Sequence, residues 1–336
     1  MISLHVHYPI QTNQQMVVRC DTQWEQDILP HFQTNTTSVF SVSENVLFWK
    51  PCLHTEKGFR WAQSANQVVL DVEQHIWPHF TDNQGCISPK IYIPDSNGNS
   101  KQTIRIYTPP SYYENPVKKY PVLYMHDGGN VFFAEEAFLG KEWEADETMD
   151  VLNRMNIIQE VIVVAIYPQN RMQEYTQKGY EQYTADFVQF IKPFVDEQYR
   201  TLPHKKHTFV MGSSLGGVVS FFMLWSRPDI FGGAACLSST FGYEDTLFSL
   251  VSNNPLPEDI RLYLDSGWPK DNFERTRTMA AILQRKGMRM GNNLMYLTFP
   301  KGKHNESYWA DRLHIPYQFL FAKRWNTQSK EYTSHK

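Results

Sequence analysis

The chain of 336 residues is 41% hydrophobic and 20% charged, a balance typical of a folded globular protein and not of a disordered one. Its formal net charge of −3, without any long basic run, argues against binding to nucleic acid or to an anionic membrane surface. The length predicts two domains.

The N-terminal residues and the cysteines bear on the cellular compartment. Residues 1–9 lack a basic segment followed by an apolar one, and no later apolar stretch is long enough to cross a bilayer. No CxxC spacing occurs among Cys20, Cys52, Cys86 and Cys236, which predicts reduced thiols and neither a zinc site nor a disulfide scaffold. We therefore expect a cytoplasmic protein.

Short alternating apolar runs separated by polar turns fill residues 1–86. They predict an all-β N-terminal domain, a small sandwich of the immunoglobulin or carbohydrate-binding-module type. His5 and His7 share one face of a predicted strand; since no third ligand lies near them in the sequence, we interpret them as structural or solvent-facing. We favour core packing over a sugar-stacking face for six aromatic residues of this region: Trp24, Phe48, Trp49, Trp61, Trp77 and Phe80.

Residues 87–328 have the pattern of a second domain, and residues 329–336 remain as a tail. Apolar runs at 90–94 and 103–108 flank the turn-rich segment 95–99 and predict an antiparallel hairpin. Unbroken apolar strands then alternate with predicted helices, at 142–155, 183–199, 215–225, 273–286 and 308–325. This alternation predicts an α/β fold whose mostly parallel sheet is covered by helices on both faces.

The segment 207–220 carries the main chemical motif. Gly212, Ser214 and Gly216 form GxSxG between an apolar strand pattern and an apolar helix pattern. This is the pattern of a nucleophile elbow, in which a strained turn holds a serine hydroxyl clear of the sheet edge. The motif alone is weak, because glycine and serine are common in ordinary turns. The flanking strand and helix strengthen it, and Ser214 is the candidate nucleophile.

A serine hydroxyl is a weak nucleophile, so an imidazole has to accept its proton and a carboxylate has to orient that imidazole. His304 follows the last predicted strand, and both Asp265 and Asp271 follow the strand before it. Open α/β sheets bind their ligands at this edge. We favour Asp271 as the acid because it lies further into its loop, and Asp265 stays open as the alternative.

Attack on a carbonyl also creates an oxyanion, which requires preorganised backbone donors. The amide of Leu215 follows the nucleophile directly at the start of a helix, where the dipole favours negative charge. The second donor is expected in the loop of residues 126–130 after the strand at 122–125, where glycines let the backbone approach a substrate. Gly129 is our choice for that donor, with Gly128 as the alternative.

Several segments in the second domain resemble the Putative esterase family of α/β-hydrolases, which includes enterochelin, feruloyl and acetyl-xylan esterases, S-formylglutathione hydrolases and mycolyltransferases. The resemblance covers about residues 86–325. It rests on segments that occur in family order: 124–132 (YMHDGGNVF), 142–147 (EWEADE), Arg171 with Glu174 and Tyr175, 196–203 (DEQYRTLP), 211–217 (MGSSLGG), and 302–306 (GKHNE) ahead of Trp309.

This resemblance implies an α/β-hydrolase fold, a catalytic triad of Ser214, Asp271 and His304, and oxyanion donors at Gly129 and Leu215. One departure concerns the acid: three residues separate Gly267 from Asp271, where relatives commonly have two. The resemblance also implies that Arg171 and Glu174 shape the substrate pocket, although a solvated surface pair is an equal alternative. Asp127 and Asn130 complete the predicted substrate-binding set.

These residues predict a serine carboxylic-ester hydrolase that works through an acyl-enzyme without a metal or an organic cofactor. We expect a small-molecule or sugar-linked ester as substrate, and no nucleic-acid or membrane partner. Two alternatives stay open: an acyltransferase that uses the same triad, and a catalytically inactive carbohydrate- or ligand-binding protein. Neither the acyl and alcohol parts of the substrate nor the oligomeric state follows from the sequence.

Overall fold

The computed structural model describes residues 1–94 and 100–323, so the predicted turn at 95–99 and the predicted tail at 329–336 lie outside the described residues. The N-terminal region has no helix in residues 1–94. Its strands are β1 (Ile2–His7), β2 (Gln15–Cys20), β3 (Gln23–Ile28), β4 (Phe32–Gln33), β5 (Thr37–Val42), β6 (Phe48–Thr55), β7 (Gly58–Trp61), β8 (Gln67–Val68) and β9 (Glu73–Ile76).

These strands form two sheets. The strand order is β4-β5-β1-β9 in one sheet and β3-β2-β6-β7 in the other, where β8 also pairs with β6. Leu4 and Phe40 from the first sheet join Val18 and Trp49 from the second in one apolar cluster. The two sheets therefore share a single core.

Burial differs among the six aromatic residues of the N-terminal region, and Trp24 is intermediate. Trp49 and Phe80 are buried in the core, as expected from core packing. Phe48, Trp61 and Trp77 keep 42%, 37% and 36% of their surface exposed. Core packing therefore explains only part of the aromatic content of this region: Phe48 and Trp61 lie at strand ends, and Trp77 follows β9.

The second region contains one large sheet. Its strands are β10 (Cys86–Ile87), β11 (Ile91–Pro94), β12 (Ser100–Thr108), β13 (Val122–Met125), β14 (Ile162–Tyr167), β15 (Thr208–Ser213), β16 (Gly233–Leu237), β17 (Arg261–Trp268) and β18 (Leu294–Pro300). The order is β10-β12-β14-β13-β15-β16-β17-β18, with β11 paired to β12 as the predicted hairpin. Neighbours from β14 to β18 in this order run parallel, so the ends of β15, β17 and β18 meet at one edge.

Helices pack on both faces of this sheet. They are α1 (Ala145–Arg154), α2 (Arg171–Glu174), α3 (Tyr180–Asp186), α4 (Lys192–Gln198), α5 (Leu215–Ser226), α6 (Leu247–Asn253), α7 (Phe273–Arg285), α8 (Glu306–Ala310) and α9 (His314–Phe321). Phe221 of α5 and Met279 of α7 belong to the apolar cluster on one face. Met149 of α1 and Tyr317 of α9 belong to the cluster on the other. This arrangement agrees with the predicted α/β class.

Two predicted helices differ in detail from the structure. The helix expected at 183–199 begins earlier, at Tyr180, and a π-helical turn (Phe187–Ile191) joins α3 to α4. The last predicted helix is divided into α8 and α9. Pro316 explains this division, because its ring clashes with the carbonyl group four residues earlier and it has no amide to donate. Pro316 is accommodated in the first turn of a new helix instead.

Candidate active site

The turn between β15 and α5 places Ser214 at the carboxyl edge of the sheet. Ser214 has φ 55° and ψ −119°, backbone angles that a residue with a side chain rarely adopts. A Cβ on Gly212 would lie 2.5 Å from the carbonyl carbon of Gly216, so only glycine lets the helix begin so close to the strand. The strained turn leaves the Ser214 hydroxyl at the N-terminus of α5.

His304 contacts both Ser214 and Asp271. His304 lies in the loop between β18 and α8, and its Nε2 atom is 3.0 Å from Ser214 Oγ. Its Nδ1 atom is 2.6 Å from Oδ1 of Asp271, which lies in the loop between β17 and α7. With the ring proton on Nδ1 donated to the carboxylate, Nε2 is left free to accept the serine proton.

The Asp271 carboxylate is buried and held by several donors. Its Oδ2 atom accepts hydrogen bonds from Ser238 Oγ at 2.5 Å and from the Gly267 amide at 2.7 Å. Burial by itself would raise the pKa of Asp271, but the hydrogen bonds from His304, Ser238 and Gly267 outweigh it and hold this pKa below its ordinary value. The carboxylate is therefore charged at neutral pH and fixed in direction.

Asp265, the alternative acid, has a different partner. It is fully buried inside β17, which extends beyond the predicted strand end to Trp268. Arg312 donates to both of its oxygens, Nε at 3.0 Å and a terminal nitrogen at 2.8 Å. Tyr263 donates a further hydrogen bond to Asp265 at 2.8 Å. Asp271 is thus the carboxylate in contact with His304, and the additional residue in its loop does not keep it from the imidazole.

Two loops offer backbone donors beside Ser214. Within residues 1–94 and 100–323, the amides of Gly128, Gly129 and Leu215 have no hydrogen-bond partner. Gly128 is buried, whereas Gly129 is partly exposed. The loop of Gly129 also packs against the elbow, because a Cβ on Gly216 would lie 3.2 Å from Asp127 Oδ2. Gly129 and Leu215 therefore present unused N–H groups at this edge.

Asp127 and Arg171 form a bidentate ion pair next to the elbow. Arg171 Nε lies 2.6 Å from Asp127 Oδ1, and a terminal nitrogen lies 2.9 Å from Oδ2. Asp127 has only 8% of its side chain exposed, whereas Arg171 has 36%. Asp127 is thus a partner of Arg171, and part of the Arg171 side chain stays exposed.

Asn130 and Glu174 hold loops in place. Asn130 Oδ1 accepts a hydrogen bond from the Phe138 amide at 2.8 Å. Glu174 accepts hydrogen bonds from the amides of Gln169 and Asn170 at 3.1 and 3.0 Å, which orders the loop before α2. Glu174 also lines a cavity of about 280 Å³ whose lining does not include Ser214, Asp271 or His304. Their predicted contact with substrate stays a prediction.

Sequence reasoning did not identify three residues of this network. Ser238 lies directly after β16 and receives hydrogen bonds from Trp309 Nε1 at 2.9 Å and Arg312 at 2.7 Å. Asn272 donates to the Ser238 carbonyl at 2.8 Å and lies 3.4 Å from His304 Nδ1. Ser238 could have been found from its place at the end of a parallel strand. Arg312 had no such signal, because it follows α8 far along the chain.

His126 lies buried beneath the elbow. Its Nδ1 atom is 2.9 Å from Ser220 Oγ and 3.2 Å from the Met211 carbonyl oxygen. Burial, with a smaller contribution from the charge of Arg171, lowers the pKa of His126 to about 3. This imidazole is therefore neutral at pH 7 and supports the turn that carries Ser214.

The mostly parallel sheet with helices on both faces, and the strand–turn–helix elbow at its edge, define an α/β-hydrolase-like protein. The model of the family described as "Putative esterase" matches residues 96–316, more than half of the chain. The chain belongs to that family, and it is an enzyme that acts on carboxylic esters. None of its described helices is long and apolar enough to span a bilayer.

Individual proteins are similar to this chain in sequence or in fold. A protein of Bacillus subtilis (strain 168) described as "Uncharacterized protein YbbA" is 23% identical over 255 residues, which are 68% of this chain and 96% of YbbA. A ferulic acid esterase structure covers 71% of this chain and 98% of its own, with 17% identity and a TM-score of 0.57. The enterobactin esterase FES of Shigella flexneri covers 95% of this chain and 92% of its own, with 15% identity and a TM-score of 0.56.

Proposed function

We propose that the protein hydrolyses small carboxylic esters through an acyl-enzyme on Ser214, with His304 as the general base and acid and Asp271 as the residue that orients it. The observation that carries the proposal is the chain of contacts from Ser214 Oγ to His304 Nε2 at 3.0 Å and from His304 Nδ1 to Asp271 Oδ1 at 2.6 Å. These lengths are within the range in which a proton passes between donor and acceptor.

In the first half of the reaction, Ser214 Oγ attacks the ester carbonyl while His304 Nε2 takes the serine proton. The carbonyl oxygen becomes an oxyanion, which the amides of Gly129 and Leu215 stabilise. The intermediate then collapses, the bond to the alcohol oxygen breaks, and His304 gives its proton to the departing alcohol. The acyl group stays on Ser214 as an ester.

In the second half, a water molecule takes the place of the alcohol. His304 Nε2 removes a proton from this water as it attacks the acyl carbonyl, and the same two amides stabilise the second oxyanion. The bond to Ser214 Oγ breaks, and the serine recovers its proton from His304. The carboxylic acid leaves and the enzyme returns to its starting state.

Arg171 is the substrate-binding residue that the geometry supports best. Because Asp127 accepts two hydrogen bonds from its guanidinium, Arg171 is fixed in direction while part of its surface stays open. A guanidinium held in this way can donate a hydrogen bond to an oxygen atom of the substrate without a further loss of side-chain entropy.

The proposal is tested with a panel of p-nitrophenyl esters of increasing acyl length. We expect Ser214→Ala to lower kcat by at least about 10⁴-fold, because the remaining catalysis comes only from binding and the oxyanion donors. Ser213→Ala is the matched control, since it removes the neighbouring hydroxyl, which does not touch His304. A phosphonate inhibitor should add its mass to Ser214 and not to Ser213.

Full activity of a correctly folded Ser214→Ala protein would contradict the proposal. Labelling of Ser214 without turnover of any p-nitrophenyl ester would support the reactive serine and direct the search to bulkier acyl groups. Absence of both labelling and turnover would overturn the mechanism and favour a binding role.

A further inference from the structure

Histidine side chains gather on one face of the four-stranded sheet in the N-terminal region. Strand β9 pairs in parallel with β1, and His75 is the direct partner of His5. Because side chains alternate along a strand, His5 and His7 on β1 share this face with Glu73 and His75 on β9. The cluster is formed by strands nearly 70 residues apart in sequence, so His5 and His7 do have further ligand groups beside them.

Three atoms of this cluster have the separation of ligands around one ion. Glu73 Oε1 lies 3.3 Å from His5 Nε2 and 3.1 Å from His75 Nε2. One ligand atom from each of the three residues lies within 4.8 Å of the other two. Two ligand atoms at 2.0–2.1 Å from a zinc ion and at the tetrahedral angle are about 3.3 Å apart. Small side-chain movements, mainly of the exposed Glu73 and His75, are enough to bring the three atoms around one ion.

His7 supports the ligand form of His75. His7 Nδ1 lies 3.1 Å from Thr37 Oγ1, and His7 Nε2 lies 2.9 Å from His75 Nδ1. When His7 donates its Nδ1 proton to Thr37, its Nε2 atom accepts the Nδ1 proton of His75. The lone pair on His75 Nε2 then points to Glu73. Hydrogen bonds of this kind fix the tautomer and the direction of metal-binding imidazoles.

The cluster combines imidazole nitrogens with one carboxylate, and a metal ion binds imidazole in its neutral form. Glu73, with 59% of its side chain exposed, supplies the negative charge that a divalent cation requires.

We propose that His5, Glu73 and His75 form a binding site for a divalent transition-metal ion of the zinc class, with His7 as the residue that orients His75. Two imidazole nitrogens and one carboxylate oxygen match the preferences of Zn²⁺, Ni²⁺ and Cu²⁺, whereas Ca²⁺ and Mg²⁺ prefer oxygen ligands alone. Ion binding displaces the hydrogen bond between Ser3 Oγ and His5 Nε2, which is 3.0 Å long. Water completes the coordination.

The bound ion would join an edge strand to its neighbour. Within residues 1–94 and 100–323, strand β9 is the last strand of its sheet and pairs with β1. An ion held by His5 on β1 and by Glu73 and His75 on β9 links the two strands through side chains in addition to the backbone ladder. The expected consequence is a more stable N-terminal region when metal is present.

The test uses the untagged full-length protein after treatment with EDTA and removal of the chelator. Calorimetric titration with ZnCl₂ in a buffer that does not bind metal should give one Zn²⁺ per chain. We expect His75→Ala to weaken binding by about 100-fold or more and His7→Phe by about 10-fold, in line with a lost ligand and a lost supporting hydrogen bond. The matched control is His314→Ala, which removes an exposed histidine at the start of α9.

Two further readouts separate a specific site from surface binding. Co²⁺ should give the intense visible absorption of a low-coordinate nitrogen and oxygen site in the native protein and in His314→Ala, but not in Glu73→Gln or His75→Ala. Zn²⁺ should raise Tm in the first two proteins only. Circular dichroism in the absence of metal verifies that all variants are folded.

The proposal is overturned if the native protein takes up no Zn²⁺ in the micromolar range, or if His75→Ala and Glu73→Gln bind it as tightly as the control variant does. Unequal binding among the variants without a change in the Co²⁺ spectrum would also overturn it, since the ion would then lie elsewhere.

Discussion

The large sheet and the N-terminal sheet of β4, β5, β1 and β9 each bring histidine into contact with a carboxylate, and they differ in what holds the carboxylate. At the edge of the large sheet, Asp271 is buried and receives hydrogen bonds from His304, Ser238 and the Gly267 amide. On the sheet that contains β1 and β9, Glu73 is 59% exposed and contacts the imidazoles of His5 and His75.

This difference teaches what each arrangement can do. A buried carboxylate with three donors cannot turn, so it holds one tautomer of one imidazole in one direction, as proton transfer from a serine requires. An exposed carboxylate between two imidazoles can shift by the small distances that coordination demands. The first arrangement suits general acid and base chemistry, and the second suits capture of an ion.

The largest effect is expected from removal of the charge on the buried carboxylate. Asp271→Asn should lower kcat/KM for p-nitrophenyl esters by about 10⁴-fold, because the amide favours the wrong tautomer of His304. Glu73→Gln is the matched change in the other region and should leave kcat/KM unchanged. Steady-state kinetics of both variants provide the measurement. Equal losses of kcat/KM in the two variants would contradict the different roles assigned to the two carboxylates.

The next effect concerns stability, not activity. Arg312→Met leaves the fully buried Asp265 carboxylate without its cation and should lower the free energy of unfolding by about 3–5 kcal/mol. Arg285→Met removes an exposed arginine in the last turn of α7 and should change it little. Urea unfolding followed by fluorescence compares the two. A loss in Arg312→Met no larger than in the control would mean that the pair is not buried in solution.

The smallest effect is a dependence of stability on pH that arises from His126. Its pKa is about 3 in the folded protein and near the ordinary 6.5 when unfolded, so the unfolded chain binds more protons between these values. Stability should therefore fall as the pH drops below about 6.5, by about 2 kcal/mol between pH 7 and pH 5 from this residue alone.

In His126→Asn, the free energy of unfolding should fall by about 2 kcal/mol less between pH 7 and pH 5, because asparagine does not titrate. Urea unfolding of both proteins at the two pH values gives the difference, and the other titrating groups cancel in the comparison. Identical falls would show that His126 is protonated in the folded protein or exposed in solution.

Periodic patterns and the elbow motif made much of the large sheet predictable. Strands β13, β14 and β16 are continuous apolar runs, and GxSxG marks the turn after β15. The boundaries of the helices were less predictable: Pro316 divides the last helix, and the run from Tyr180 to Gln198 contains a π-helical turn. Local composition decides where the buried strands and the elbow lie, whereas packing decides where the helices begin and end.

The aromatic residues of the N-terminal region show the limit of such patterns. Trp49 and Trp61 lie on paired strands with similar composition, yet one is fully buried and the other is 37% exposed. Composition does not reveal which face of a strand meets the partner sheet, because that depends on how the two sheets pair.

The sequence by itself determined the class of the fold, the serine at the elbow, and the histidine in the loop after the last strand. Only the tertiary structure decided that Asp265 pairs with Arg312 while Asp271 contacts His304. Asp265 lies inside β17 and Asp271 lies in the loop after it, and the partner of Asp265 is an arginine that is distant in the sequence. The tertiary structure alone also brought Glu73 and His75 to His5. Distant strands pair in the way that buries their apolar faces. The spacing of residues along the sequence does not show which polar side chains become neighbours as a result.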